Sequence, residues 1–160
     1  MAKKLLKIFL WIIGLIVSAI IIFACYFWFK FNQAEQSAGR KVEWESKDGE
    51  ILRNLKYGEG TRNVYDLFLP HTKDSNALML FIHGGAWSAG SKDDMVFRNL
   101  MIDYAKQGYV TLSVEYRFHQ ETEFPACIED VKCAVRWLKA HAKEYKVDPE
   151  RIGCTGHSAG

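Results

Sequence analysis

The hydrophobic pattern divides the chain into one long apolar run near the N-terminus and several shorter runs after residue 48. The long run, Ile8 to Phe29, is apolar except for Ser18 and the hydroxyl group of Tyr26. About 22 residues make roughly 33 Å of helix, which is enough to cross the hydrocarbon core of a bilayer. Trp11 lies near one end and Trp28 near the other, as in interfacial aromatic belts. The pattern predicts a transmembrane helix within residues 1–30.

Two other interpretations of this segment are a cleaved signal peptide and a lipoprotein signal. The run is longer than the apolar core of a signal peptide, and no small-x-small cleavage site closes it. The sequence before Cys25 is similar to a lipobox, but Phe23 is too bulky and the apolar run continues past Cys25. We therefore favour an uncleaved, single-pass signal anchor. Lysines 3, 4 and 7 predict a cytoplasmic N-terminus and an extracytoplasmic domain, and Lys30 opposes this orientation.

The pattern after the membrane segment predicts a linker followed by a domain. Residues 31–47 are mostly polar and are interpreted as the linker, so the domain spans residues 48–160. Ile51–Tyr57 and Asn63–Leu69 are predicted to be two antiparallel edge strands. Ala77–Ile82 is apolar without alternation, which is typical of a strand that is covered on both faces.

The rest of the domain alternates between helical and strand patterns. Ser91–Gln107 has apolar residues at helical spacing, and Gly108 is placed to cap its C-terminus. Tyr109–Val114 predicts a strand, and a second amphipathic helix begins near Pro125. Arg151–Thr155 predicts a short buried strand. This β-α-β-α-β order predicts an α/β fold with a parallel sheet and right-handed crossovers.

Composition and charge exclude several classes of function. The formal net charge is +2, and no basic cluster points to nucleic acid as a partner. Neither G-x-G-x-x-G nor G-x-x-x-x-G-K-[ST] occurs, so no nucleotide cofactor is expected. The four cysteines show no C-x-x-C spacing and no matching histidines, which argues against a metal or redox site. We expect Cys127, Cys133 and Cys154 to be small buried side chains.

The chemistry is concentrated in two short motifs, each of which follows a predicted strand. Residues 156–160 read Gly-His-Ser-Ala-Gly, the G-x-S-x-G pattern that holds a nucleophilic serine on a sharp turn from strand to helix. A serine in such a turn needs strained backbone angles and small neighbours. Residues 83–87 read His-Gly-Gly-Ala-Trp after the apolar strand at Ala77–Ile82, a position suited to backbone N–H groups that bind an oxyanion. The two motifs together predict a serine hydrolase.

From about Tyr65 onward the sequence resembles the α/β-hydrolase superfamily, in the carboxylesterase branch related to hormone-sensitive lipase and the feruloyl-esterase-like (BD-FAE-like) proteins. The resemblance rests on the following residues: Tyr65–Pro70, His83–Trp87 with Gly90, Val114–Arg117, Phe124–Ala126 with Glu129 and Asp130, and Asp148–Gly153 leading into the G-x-S-x-G motif. It implies the N-terminal part of an α/β-hydrolase domain that cleaves small-molecule carboxylic esters without a cofactor or a metal.

The resemblance also implies roles for individual residues. Ser158 would be the nucleophile, and the backbone N–H groups of Gly85, Ala86 and Ala159 would form the oxyanion hole. Gly84, Gly156 and Gly160 would support the two turns, and His83 would organise the loop through ring hydrogen bonds. Trp87 is expected to pack under the loop or to line the acyl pocket, and Asp130 to anchor a helix start or a loop.

In this fold the acid and the histidine of the triad follow the serine in sequence. They are not among the 160 residues, so we expect this stretch to be the first half of an enzyme and inactive by itself. Two alternatives stay open. One is an arylformamidase-like amide hydrolase, which shares the H-G-G-x-W motif, and the other is a non-catalytic binding module with a hydrolase fold.

Overall fold

The computed structural model describes residues 2–38, 42–72 and 75–160. The chain forms two compact units, and the division falls between residues 40 and 41. The first unit consists of one helix, α1, over Ala2–Ala38. Its segment Trp11–Lys30 has a mean hydropathy of 2.6, and it is long and apolar enough to be a membrane span or a signal sequence.

The second unit begins earlier than the predicted domain boundary at residue 48. Helix α1 includes residues 31–38 of the predicted linker, and the partly buried side chains of Val42 and Trp44 pack against a core cluster of the domain. The indole N–H of Trp44 also donates to the carbonyl group of Gly49, at 3.3 Å. Residues 42–44 therefore belong to the packed unit, because the side chains of Val42 and Trp44 are partly buried although the residues around them are polar.

The second unit is built on a five-stranded mixed sheet with the order β1-β2-β4-β3-β5. Its strands are β1 (Gly49–Lys56), β2 (Val64–Pro70), β3 (Asn76–Ile82), β4 (Val110–Val114) and β5 (Val147–Gly156). β1 and β2 are antiparallel as predicted, but β2 is not an edge strand, because it also pairs antiparallel with β4. β3 pairs in parallel with β4 and with β5, so the prediction of parallel strands is correct for these three.

One helix follows β3 and another follows β4, and each contributes to a different core cluster. Helix α2 spans Met95–Lys106 and contributes Phe97, Met101, Ile102 and Ala105 to a cluster with Phe68 and Phe81. Helix α3 spans Ala126–Ala140 and contributes Ala134 and Leu138 to a cluster with Leu78, Leu80 and Leu112. Adjacent residues of β3 enter different clusters, since side chains alternate along a strand. The prediction that β3 is covered on both faces is confirmed.

Candidate active site

The two motifs meet at one edge of the sheet. In the parallel register, Ile82 at the end of β3 lies beside Val114 of β4 and Gly156 of β5. The residues that leave the sheet at this edge are therefore His83, Glu115 and His157. Parallel strands bring their carboxyl ends to the same edge, which is where open α/β sheets place their ligands.

The G-x-S-x-G turn (residues 156–160, called the elbow below) begins at the last residue of β5. Ser158 has a left-handed backbone with φ of +57° and is exposed to solvent. The Gly160 N–H donates to the carbonyl group of His157, at 3.0 Å, and this closes the turn. A non-glycine residue in the left-handed region costs free energy that the surrounding structure must offset. The elbow thus holds the serine hydroxyl outside the sheet in a strained bend.

The loop after β3 (residues 83–92, called the glycine loop below) lies directly against the elbow. A Cβ atom built on Gly84 would stand 2.7 Å from the carbonyl oxygen of His157 and 3.2 Å from the Cβ atom of Ser158. These separations are too short for a side chain at position 84, and glycine at this position therefore allows the two backbones to approach each other. Half-buried Ala159 lines a small cleft together with Gly160, Ile82 and Trp87.

The glycine loop has an unusual backbone beyond Gly84. Gly85, Ala86 and Trp87 have φ values of +118°, +51° and +56°. The N–H groups of Ser88 and Ala89 both donate to the carbonyl group of Gly85, at 3.0 and 2.9 Å. Ala86 and Trp87 are not glycines, so their left-handed backbone costs free energy that the surrounding structure must offset.

His83 is buried at the start of this loop and contacts partners through both ring nitrogens. Nδ1 lies 2.7 Å from the carbonyl oxygen of Gly84, and Nε2 lies 3.1 Å from Oε1 of Glu115. The ring also stacks on Tyr116 with centroids 4.3 Å apart, and the Tyr116 hydroxyl group donates to the His83 carbonyl group at 2.8 Å. These contacts occupy the imidazole, so it is not free to accept a proton from Ser158.

Glu115 is a residue of this site to which the sequence reasoning assigned no role. Its side chain is buried and contacts His83, Arg62 and the backbone of Lys92. Burial alone would raise the pKa of Glu115, but the hydrogen bonds from His83 and Lys92 and the charges of His83 and Arg62 outweigh it and lower the pKa. The signal that could have identified Glu115 is its position. It is a carboxylate directly after a fully buried strand, at the edge where His83 leaves β3.

A second buried carboxylate fixes the segment after β4. Asp130 accepts three hydrogen bonds from Arg117: from the backbone N–H at 2.9 Å, from Nε at 2.9 Å and from Nη2 at 2.7 Å. The prediction that Asp130 anchors a helix start or a loop is confirmed, since it joins the first turns of α3 to the chain after β4. The bidentate pairing also raises the pKa of Arg117, first through the hydrogen bonds that its guanidinium group donates to Asp130.

Two connected apolar clefts lie beside the elbow and the glycine loop. The smaller, of about 180 Å³, reaches Ala159 and Gly160 and is also lined by Tyr116 and Ile128. The larger, of about 480 Å³, is lined by Phe118, Phe124 and Thr122. Both clefts are lined by Trp87, Cys127 and Ile128. Apolar clefts of this kind bind the apolar parts of small molecules.

Trp87 and the cysteines can also be compared with expectation. Of the two positions expected for Trp87, the structure agrees with the second: its side chain is 52% exposed and lines both clefts instead of packing under the loop. The four cysteines are free, and the expectation of three buried cysteines is wrong: Cys127 and Cys133 are only partly buried, and Cys154 is exposed. Within the described ranges, no group of three or more His, Cys, Asp or Glu side chains is placed to hold a metal ion.

The model of the BD-FAE family matches residues 65–160, which is more than half of the chain and includes both motifs. The chain belongs to the BD-FAE family. This confirms the resemblance drawn from His83–Trp87 and from the elbow. Because the match begins in β2 and ends at Gly160, it covers the elements that build the candidate site.

The chain is similar to proteins that are named as esterases. It is 39% identical over 111 residues to the "Probable carboxylic ester hydrolase LipM" of Mycobacterium tuberculosis, covering 67% of this chain and 26% of that protein. It is 37% identical over 93 residues to the carboxylesterase NlhH of the same species, covering 57% of this chain and 28% of NlhH. The chain thus spans about a quarter of the length of the curated relatives it matches.

Comparison with solved structures supports the fold that is expected for this family. A truncated carbohydrate esterase from gut microbiota superposes with a TM-score of 0.66 at 30% identity, covering 74% of this chain and 42% of that one. The esterase Est2 of Thermogutta terrifontis superposes with a TM-score of 0.59 at 29% identity, covering 73% of this chain and 44% of that one. The mixed sheet, its helices and these neighbours support the α/β-hydrolase fold that was predicted.

Proposed function

We propose that this BD-FAE protein is a membrane-anchored serine hydrolase that cleaves carboxylic esters, with Ser158 as its nucleophile. The observation that carries the proposal is the contact between the elbow and the glycine loop. The Cβ atom of Ser158, in a left-handed bend, lies 3.2 Å from where a Cβ atom of Gly84 would stand. A nucleophile and the donors for an oxyanion must lie within about 3 Å of one reacting carbonyl group.

The proposed reaction transfers the acyl group of the ester to Ser158. The Oγ atom attacks the carbonyl carbon while a histidine base takes the hydroxyl proton. The tetrahedral intermediate collapses, the C–O bond to the alcohol breaks, and the histidine returns the proton to the departing alcohol. Water then attacks the acyl-enzyme by the same route, which releases the carboxylic acid and restores the Ser158 hydroxyl group.

The negative oxygen of the intermediate is proposed to accept hydrogen bonds from the backbone N–H groups of Gly85, Ala86 and Ala159. Each donor of this kind contributes about 2.7–4 kcal/mol to the transition state. A proline at position 86 would remove one donor, but its φ of about −65° is incompatible with the observed +51°. The loss of rate in Ala86→Pro would therefore combine a missing donor with a disrupted loop.

The histidine base and its carboxylate partner are proposed to lie C-terminal to Gly160, in the order usual for this fold. His83 is unsuited to the role because Gly84 and Glu115 occupy both of its ring nitrogens. His157 is also unsuited to the role, because it directly precedes Ser158 in a tight turn, where the side chains of successive residues point apart. On this account residues 1–160 alone hydrolyse no ester.

Helix α1 is proposed to anchor the protein as a single membrane span, with the hydrolase domain outside the cytoplasm. Support comes from the 20-residue apolar segment Trp11–Lys30 and from the exposed aromatic residues near its ends, including Trp11 and Trp28. An uncleaved anchor should keep residues 2–30 in the mature protein and stay in the membrane pellet after carbonate extraction. Release of a shortened protein into the soluble fraction would show a cleaved signal sequence instead.

The catalytic proposal is tested on the protein as its gene encodes it, from Met1 to the stop codon. The wild type and Ser158→Ala are compared on p-nitrophenyl esters of increasing acyl length and on an N-formyl aryl amide. We expect ester hydrolysis by the wild type and a loss of at least a thousandfold in kcat for Ser158→Ala. Preference for the formyl amide would favour the arylformamidase-like alternative, and a wild type that hydrolyses neither would favour the binding module.

A further inference from the structure

One carboxylate contacts both ends of the glycine loop. Oε1 of Glu115 lies 3.1 Å from Nε2 of His83, the first residue of the loop. Oε2 of the same side chain accepts a hydrogen bond from the backbone N–H of Lys92, the last residue of the loop, at 3.1 Å. Glu115 is 7% exposed, so water competes little for these bonds.

The contacts of His83 determine its proton count. Its two partners, the carbonyl oxygen of Gly84 and the carboxylate of Glu115, can only accept hydrogen bonds. The imidazolium ion, which carries two ring N–H groups, can donate to both partners at once, whereas the neutral ring can donate to only one of them. Glu115 must likewise be ionised, because it accepts from His83, from Lys92 and from Nη1 of Arg62 at 2.7 Å.

The far end of the loop is fixed by further bonds. The carbonyl oxygen of Lys92 accepts from the Ser113 hydroxyl group on β4, at 2.8 Å. The ammonium group of Lys92 is buried and lies 3.0 Å from Asp66 on β2. Because Lys92 is bonded to two strands, the end of the loop is fixed. The Glu115 carboxylate bonds to both Lys92 and His83, and it therefore sets the distance between the end and the start of the loop. The carbonyl group of Gly84, held by the His83 ring, sets the orientation of the peptide that carries the Gly85 N–H.

We propose that Glu115 is a positioning residue for ester hydrolysis: its carboxylate holds a protonated His83 against the Gly84 carbonyl group, and this aims the oxyanion-hole peptides at Ser158. The inference rests on the proposed function, because it assigns Glu115 a role in the same reaction. Glu115 touches neither the substrate nor Ser158 and acts only through the glycine loop. Its effect should therefore fall on kcat, where oxyanion donors act, and little on KM.

The test compares Glu115→Gln, Glu115→Ala and Asp130→Asn in the full-length protein. Glutamine keeps one acceptor oxygen and places an amide N–H₂ group against the other donor, so we expect about a tenfold loss in kcat with KM within twofold. Alanine removes both contacts and should cost about a hundredfold. Asp130→Asn is the matched comparison: it also perturbs a buried carboxylate that accepts three hydrogen bonds, but the donor is Arg117, which lies outside the glycine loop. Its kcat should fall less than the kcat of Glu115→Gln.

A second measurement reports the proton count directly. Nitrogen-correlated NMR of the imidazole groups should show two ring N–H protons on His83, identified by their loss in His83→Asn, and Glu115→Gln should remove or shift the Nε2–H signal. A single ring N–H in the wild type would overturn the proposal. So would a kcat of Glu115→Gln that equals the kcat of Asp130→Asn at equal folded fraction.

The outcomes separate this inference from the proposed function. If Ser158→Ala keeps its activity, the serine mechanism fails whatever Glu115 does. If Ser158→Ala is inactive while both Glu115 variants match Asp130→Asn, the serine mechanism stands and the positioning role of Glu115 is wrong.

Discussion

Replacing Gly84 by alanine perturbs the contact between the elbow and the glycine loop with a single methyl group. The new Cβ atom would stand 2.7 Å from the His157 carbonyl oxygen, 3.1 Å from Nδ1 of His157 and 3.2 Å from Cβ of Ser158. Real Cβ atoms essentially never approach closer than 3.0 Å, so the His157 peptide must retreat by at least 0.3 Å (3.0 minus 2.7). The obstacle is backbone, and the elbow must therefore move with the peptide.

This displacement should reduce both kcat and stability. A misplacement of 1 Å costs about a hundredfold in rate, so a few tenths of an ångström should cost about three- to tenfold in kcat. Overpacking of this size lowers the unfolding free energy by about 1–3 kcal/mol. The assay is steady-state hydrolysis of a p-nitrophenyl ester by the full-length protein, together with urea unfolding of the same preparation.

Gly108→Ala is the matched control for Gly84→Ala. Gly108 has φ of +93°, and a Cβ atom there would meet nothing within 4 Å. The substitution should therefore lower the unfolding free energy by about 1–2 kcal/mol through backbone strain alone and leave kcat unchanged. Wild-type kcat in Gly84→Ala, or equal kcat in the two alanine variants, would refute the close approach of the elbow and the loop as a catalytic requirement.

Three further predictions concern the same region. Ala86→Gly should keep kcat/KM within threefold, because glycine retains the N–H donor and adopts φ of +51° without strain; a tenfold loss in ester hydrolysis would contradict this. The lowered pKa of Glu115 means that its ionisation stabilises the fold above the usual value of 4.5, and this stabilisation is lost as the pH falls through the lower folded-state pKa. Urea unfolding from pH 7 to pH 3 should therefore show the stability difference between wild type and Glu115→Gln shrinking below about pH 4.5, whereas a constant difference would argue against it. Arg117→Lys should lower the unfolding free energy by about 1–2 kcal/mol, because a lysine cannot donate to both oxygens of Asp130 at once, and an unchanged urea midpoint would show that the bidentate pair contributes little.

The hydrophobic pattern predicted the central elements well, because their signals are local. The unbroken apolar run in β3 reports burial on both faces, and Gly108 marks the end of α2, where the Tyr109 N–H bonds to the Tyr104 carbonyl group at 3.2 Å. The pairing of the strands was harder to predict from the sequence. The place of β2 beside β4 depends on long-range register, which no spacing within β2 encodes.

The candidate site shows the same division between local and long-range information. The two motifs could be recognised from sequence because each is a contiguous pattern. Glu115 could be noticed from sequence as a carboxylate after a buried strand, but its partners could not be predicted, since they depend on the register that sets Val114 beside Ile82. The sequence left two positions open for Trp87, under the loop or lining a pocket, because the left-handed backbone that carries it is not encoded in a local pattern; in the structure it lines the clefts.

The most direct test of the central claim is the structure of the full-length protein after reaction with an alkyl phosphonate ester, whose tetrahedral phosphorus resembles the reaction intermediate. The account predicts a covalent bond to Oγ of Ser158 and a phosphoryl oxygen within about 2.7–3.1 Å of the backbone nitrogens of Ala159 and of Gly85 or Ala86. A label on another residue, or a phosphoryl oxygen that points away from the glycine loop, would contradict it.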